Sequence, residues 1–282
     1  MDLSKCFDTL NHDLIINSVR KRVTDGSILS LIKQFLESGV MTSGVLESTS
    51  VGSPQGGVIS PLLANIYLDS FDQFMKSRGH RIVRYADDIL IFKTSKIGAT
   101  NVLKTATTYL GKQLRLTVNQ KKTHVTSLWK GVPYLGVEIY SSYTKIQDKK
   151  LREFKRKVKS RTKRNSPVNL EKVIKDLNPL LRGFTNYFKV TNSKTKFRYL
   201  MSWIRRRLRS IQMKLWKKPQ RLHRRLRQQG YDGDHKHIKM ASWRNSNSQY
   251  SHWALPNRLF DELGLYSIDK IKTGELPPIN WG

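Results

Sequence analysis

Positive charge is crowded into one stretch of this chain. Residues 151–250 hold 29 Lys and Arg against 5 Asp and Glu, whereas residues 1–150 hold 20 against 12. A compact body so basic repels itself unless a polyanion neutralises it, so nucleic acid is the expected partner and an inert supercharged surface the alternative. Within the basic stretch, leucine-rich stripes run through Lys/Arg-rich faces, as in Trp203-Ile204-Arg205-Arg206-Arg207-Leu208-Arg209. The spacing predicts helices over 151–164, 170–187, 195–215 and 221–229, with a loop from Gly230 to Ser248. The charge steps up near Lys149-Lys150, just past a strand-like stretch ending around Ile146. Domains are therefore expected at 1–148, 149–229 and 230–282.

Upstream of the step the pattern is mixed, so an α+β domain is expected. Two helices join near Thr24-Asp25-Gly26, and 41–50 reads as a short strand pair around Gly44. Ser60-Pro61 signposts a helix, Ser60 as cap and Pro61 in its first turn, with Leu62, Leu63, Ile66, Tyr67, Phe71 and Phe74 on its stripe. Residues 81–92 read as two short strands around Ala86-Asp87-Asp88, 101–114 as a helix, and 132–139 with 144–147 as a small hairpin. The single cysteine, Cys6, excludes a disulfide framework and a cysteine-based zinc site within the chain, and its ordinary place is packed in a core. His235 and His237 read as loop residues rather than ligands. The opening Met1-Asp2 shows no leader and no stretch is long and apolar enough to span a bilayer. A soluble, cytoplasmic protein with no membrane contact is the expectation.

Adjacent carboxylates on a strand–turn–strand can hold a divalent cation, because two anions side by side repel and a cation relieves the cost. Tyr85-Ala86-Asp87-Asp88 supplies such a pair between apolar flanks, although Asp-Asp is also ordinary turn chemistry. A second carboxylate stretch opens the chain, Asp2-Leu3-Ser4-Lys5-Cys6-Phe7-Asp8.

Together, Asp2 to His12 and Tyr85 to Asp88 resemble the first palm motif and the Tyr-x-Asp-Asp motif of reverse transcriptases, the latter with Ala in the manner of group II intron proteins. Ser53-Pro54-Gln55-Gly56-Gly57 resembles the family's Pro-Gln-Gly segment. Asn119 to Thr123 and Tyr134-Leu135-Gly136 resemble the next two palm motifs. Further on, Pro179 to Phe188, Trp216-Lys217-Lys218-Pro219, Ser242-Trp243-Arg244 and 253–265 resemble the thumb and maturase region of the group II intron reverse transcriptases and maturases.

That resemblance implies an antiparallel-sheet reverse-transcriptase palm followed by an all-α basic thumb and maturase region. It implies RNA-directed DNA polymerisation with two Mg²⁺ ions on Asp2, Asp87 and Asp88. Phe7 would exclude a ribose 2′-hydroxyl, with core packing as the alternative. Gln55 and Gly56 would lie under the template–nucleotide pair, and Lys122 near the triphosphate, with an ordinary surface lysine as the alternative. Tyr134, Leu135 and Gly136 would form the primer grip, and Asp8 would cap the helix starting near Asn11. Arg182, Asn186 and Tyr187 would offer one RNA-binding face, joined by Arg205, Arg206 and Arg207; for Phe188, packing between helices is preferred. Implied partners are group II intron RNA, an RNA template with a DNA primer, deoxynucleoside triphosphates and a DNA target.

Family members carry a long fingers region before the opening motif, whereas here Asp2 follows Met1. The expectation is a truncated chain, with Asp2 at a mobile end and polymerase activity weak or lost while RNA binding persists. No His/Cys nuclease cluster follows residue 264, so no DNA endonuclease domain is expected. An RNA-binding maturase or chaperone with a remnant polymerase half is the alternative; a retron-type enzyme is disfavoured by the long maturase-like region.

Overall fold

Asn11 starts the first helix. Its side-chain oxygen accepts from Leu14 N at 3.1 Å, and α1 (His12–Arg20) follows. The cap is thus Asn11 rather than Asp8, which sits exposed on a 3₁₀ turn at Cys6–Asp8, too far upstream to reach the first helical amides. The computed structural model describes residues 1–4, 6–37, 40–42, 45–47, 52, 58–165, 168–233 and 238–275. They fall into two compact units, Met1–Ser127 and Leu128–Gly282.

In the first unit α2 (Gly26–Glu37) leads to an antiparallel pair, β1 (Val40–Thr42) and β2 (Val45–Glu47). The central helix α3 (Ser60–Ser77) buries Leu63, Ala64, Tyr67, Leu68, Phe71 and Met75 at helical spacing. Ser60 is its first helical residue and is itself buried; the cap position belongs to Ile59, with no side-chain bond. Against α3 stand the antiparallel strands β3 (Arg81–Tyr85) and β4 (Asp88–Phe92), then α4 (Lys96–Leu114). The helix expected from Asn101 starts five residues earlier. Ser95 caps it by accepting from Gly98 N at 3.1 Å, while Ile97 in that first turn is exposed, so apolar periodicity is silent there. Tyr67 closes the core by donating to Leu114 O at 2.6 Å. Each large side chain buried here contributes about 1.5–3 kcal/mol.

The second unit opens with a three-stranded antiparallel sheet in the order β5 (Val132–Tyr134), β6 (Val137–Ile139), β7 (Thr144–Ile146). The stretch 132–139, expected as one strand, is itself a hairpin, because Leu135 and Gly136 both take positive φ, +47° and +81°. Then come α5 (Asp148–Arg161), α6 (Leu170–Phe188), α7 (Lys194–Trp216) and α8 (Pro219–Gln228), with short α9 (Gln249–Ala254) and α10 (Asn257–Glu262). One core joins them. It includes Ile146 from the sheet, Ile238 and Met240 from the stretch expected as a loop, and Leu255, Phe260, Leu265 and Ile268 from the end of the chain. The charge step near residue 149 and the unit boundary at 127/128 therefore differ: charge reports on surface, while the unit is set by which apolar side chains pack together. Among the described residues no helix is long and apolar enough to cross a membrane.

Candidate active site and nucleic-acid interface

Backbone pairing sets the opening carboxylate, Asp2, beside Asp88. Met1 and Ile89 exchange two hydrogen bonds, Met1 N to Ile89 O at 2.6 Å and Ile89 N to Met1 O at 2.9 Å, and Asp2 forms an antiparallel bridge with Asp88. On its other side Asp2 O accepts from Asn119 N at 2.9 Å, Asp2 N donates to Thr123 Oγ1 at 3.1 Å, and Leu3 bridges Val118. The opening strand, expected as a mobile end, thus has ladder hydrogen bonds on both sides. Asn119 Oδ1 also accepts from Lys121 N and Lys122 N, at 3.1 and 3.3 Å. That turn sets Lys122 Nζ 3.4 Å from Asp2 Oδ2.

Asp87 sits at the β3–β4 turn, where Tyr85 pairs with Asp88 and Ala86 takes φ +52°. A left-handed alanine costs roughly 1–2 kcal/mol, and Arg84 braces it. Its guanidinium donates to both carboxylate oxygens of Asp72 on α3, at 2.7–3.0 Å, to Asn65 Oδ1 at 3.0 Å and to Ala86 O at 3.1 Å. Sequence reasoning missed Arg84 and Asp72. The available signal was a basic residue beside the Tyr-Ala-Asp-Asp turn, twelve positions from an acid on the preceding helix.

Electrostatics mark the same corner. Asp88 has its carboxyl pushed up, first by burial and then by the charges of Asp87 and Asp2. Cys6, buried behind the turn, has its thiol pushed up to about 12, chiefly by burial and then by Asp87, against a smaller opposing pull from Arg84. It is a neutral packing residue. Phe7 is half-buried against the core. Gln55 and Gly56 lie outside the described residues, but Gly52 just before them is anchored. It donates to Leu10 O at 2.8 Å, its carbonyl lies 2.6 Å from His12 Nε2, and at φ +99° an added Cβ would fall 2.7 Å from Asp8 O.

Oxygen donors of this kind suit Mg²⁺, and the burial of Asp88, together with the neighbouring charges of Asp87 and Asp2, is a cost a divalent cation relieves. Among the described residues no three His, Cys, Asp or Glu side chains form a ready ligand cage. A Mg²⁺ ion held here would draw its remaining ligands from water or substrate oxygens.

In the second unit, Tyr134, Leu135 and Gly136 form the tip of the β5–β6 hairpin, and Tyr187 on α6 donates its hydroxyl to Leu135 O at 2.8 Å. Arg182 instead lies over the Tyr266 ring at 4.7 Å. Five residues at about 100° each put Arg182 and Tyr187 roughly 140° apart around the helix. The single RNA-binding face expected of Arg182, Asn186 and Tyr187 is therefore divided, though all three are exposed, and Phe188 packs inward.

The arginine run on α7 divides as well. Arg205 is buried and pairs with Asp269 at 2.8 Å and Asp261 at 3.7 Å, so it holds the end of the chain to α7 rather than meeting a ligand. Arg209, missed by sequence reasoning, is 2% exposed; it donates to Leu255 O at 2.9 Å and to Asn257 Oδ1 at 2.8 Å, and burial brings its pKa down to about 10. Arg206 and Arg207 lie against the Trp243 ring, each at 5.2 Å.

Comparison with known proteins finds two families along the chain, and the first match runs past the unit boundary to include β5 and β6. Residues 1–139 match the reverse transcriptase (RNA-dependent DNA polymerase) family, and residues 151–230 match the group II intron maturase-specific domain. Protein YkfC of Escherichia coli is 32% identical over 48% of this chain and 44% of its own length. A putative COX1/OXI3 intron 2 protein of Saccharomyces cerevisiae is 26% identical over 49% of this chain and 23% of its own. The group II intron-encoded protein LtrA of Lactococcus lactis is 39% identical over 26% of this chain and 12% of its own. The chain thus spans less than half the length of each of these relatives. With a reverse transcriptase domain followed directly by a maturase-specific domain, the chain belongs to the group II intron-encoded reverse transcriptase and maturase family.

Proposed function

We propose that the first unit is the catalytic palm of an RNA-directed DNA polymerase and that the second binds group II intron RNA. The observation that carries this reading is the Asp2–Asp88 bridge, which sets the opening carboxylate beside the Asp87-Asp88 turn. Asp2, Asp87 and Asp88 would hold two Mg²⁺ ions, which supply activation of a primer 3′-oxygen and neutralisation of the transferring phosphate. Arg84 and Asn119 keep the turn and the strand in place, because a misplacement of about 1 Å costs on the order of a hundredfold in rate. Lys122 supplies an exposed cation beside Asp2 for the triphosphate of a deoxynucleotide, and Phe7 the ring that excludes a 2′-hydroxyl. Cys6 stays protonated and adds no charge to the corner.

The test is Asp87→Ala in the whole protein, assayed for primer extension on a poly-rA template with Mg²⁺. Extension should fall on the order of a thousandfold, about 4 kcal/mol of barrier. RNA retention on a filter should be unchanged. Retained extension overturns the carboxylate assignment. A second reading, an RNA-binding maturase without polymerisation, is favoured by the rings and cations gathered on the second unit, and predicts RNA retention without extension even in the unaltered protein.

A further inference from the structure

A cavity of about 420 Å³ opens on the second unit between the end of α5 and the turn before residue 244, lined by Lys163, Arg164, Asn165, Arg207 and Trp243. Three of the five are cations and none is an acid. Arg207 is fixed there: its Nε donates to Thr162 Oγ1 at 2.6 Å and its Nη2 to Thr162 O at 2.7 Å, leaving Nη1 without a protein partner among the described residues. Lys214 bonds Asn165 and brings a further ammonium to the rim. Arg206, over the same Trp243 ring, has its Nε buried without a partner among the described residues.

From this cavity a ladder of rings and cations runs back along α7. Tyr199, Trp203 and Arg207 follow at four-residue intervals on one face. Arg207 lies 5.4 Å from the Trp203 ring, and Lys155 of α5 lies 4.7 Å from the Tyr199 ring and 6.0 Å from that of Trp203. Tyr199 remains 58% exposed. Eight residues of helix put it about 12 Å from Arg207, within the reach of two or three nucleotides. A cationic pocket beside an exposed ring suits an unpaired strand, whose bases are free to stack; a duplex would present only backbone.

Resting on the RNA-binding reading of the second unit, we propose that this cavity receives a backbone phosphate of an unpaired strand, held by Lys163, Arg164 and Arg207, while a neighbouring base stacks on Tyr199. The site lies apart from Arg182, Asn186 and Tyr187, and it gives the charge of residues 151–250 one place of action.

The test compares three variants of the whole chain by filter retention of a 12-nucleotide RNA strand over a range of salt. Lys163→Gln with Arg164→Gln should weaken binding about tenfold and flatten the log–log salt slope by about 1.4, at roughly 0.7 per lost contact. Tyr199→Ala should weaken it about tenfold with the slope unchanged, and Tyr199→Phe should restore it. Lys172→Gln with Lys175→Gln, the same loss of charge on exposed positions of α6, should have at most a twofold effect. The same strand as DNA should show the same losses, because nothing in the lining reads a 2′-hydroxyl; losses confined to RNA overturn phosphate and ring as the groups recognised. Equal weakening by the two lysine- and arginine-directed double variants, or an unaffected Tyr199→Ala, overturns the site while leaving RNA binding by the unit standing. No retention of RNA by the unaltered chain overturns the RNA-binding reading itself, and the site with it.

Discussion

The carboxylate corner of the first unit and the arginine face of α7 solve the same problem in opposite ways. In the corner, strand pairing sets Asp2 beside the Asp87-Asp88 turn. Burial, and then the charges of Asp87 and Asp2, raise the pKa of Asp88, and Lys122 is an exposed counter-charge at 3.4 Å from Asp2. On α7 two of the cations are taken up by the fold: Arg205 meets Asp269 and Asp261, and Arg209 meets a carbonyl and an amide oxygen. Repulsion that the fold leaves unresolved marks the place where a ligand of opposite charge lowers the energy. Repulsion that the fold resolves marks structure. Formal charge along a helix therefore overstates the charge a nucleic acid can meet.

The comparison breaks first if Arg209 is dispensable. Arg209→Ala strips a buried hydrogen-bonding cation and leaves Leu255 O and Asn257 Oδ1 unpaired, so it should cost about 3 kcal/mol in chemical denaturation. A loss under about 1 kcal/mol would mean that Arg209 is not structural. Arg84 sharpens the other side. Arg84→Gln releases Asp72 and the Ala86 carbonyl, and should cost about 2 kcal/mol and lower primer extension ten- to a hundredfold. Arg84→Lys should recover little of either, since one ammonium cannot reproduce the fork. Smallest is the effect of Asp88→Asn on stability. A carboxyl whose pKa is raised by folding loses stability as pH rises from its unfolded value, about 3.9, through its folded value. The variant should accordingly melt higher than the parent at pH 7, with the gain fading towards pH 3, and added Mg²⁺ should narrow the gap at pH 7 by stabilising the parent more than the variant, which keeps only Asp2 and Asp87 as carboxylates of the corner. A lower melting temperature for Asp88→Asn at pH 7 would show that ionised Asp88 does not destabilise the fold.

Much of this molecule was legible in residues that act locally. The stripe of α3, the hairpin around Asp87, the basic helices and the ordered motifs that mark the family need only spacing and neighbours along the chain. Capping was harder to read. Asn11 rather than Asp8 caps α1, and Ser95 starts α4 ahead of its apolar repeat, because a cap is a hydrogen bond of one side chain and leaves no periodicity. What only tertiary structure decided is which charges are free. Nothing in Arg205-Arg206-Arg207-Leu208-Arg209 separates the two arginines that hold the end of the chain from the one that lines a cavity, since their partners lie some 45 to 65 positions away. Nor does the sequence tell that Met1 and Asp2 are held by residues 89, 119 and 123. Sequence alone determined the kinds of groups available and the elements that carry them. Their meeting was decided by packing, because burial and counter-charge depend on residues brought together only when the core closes.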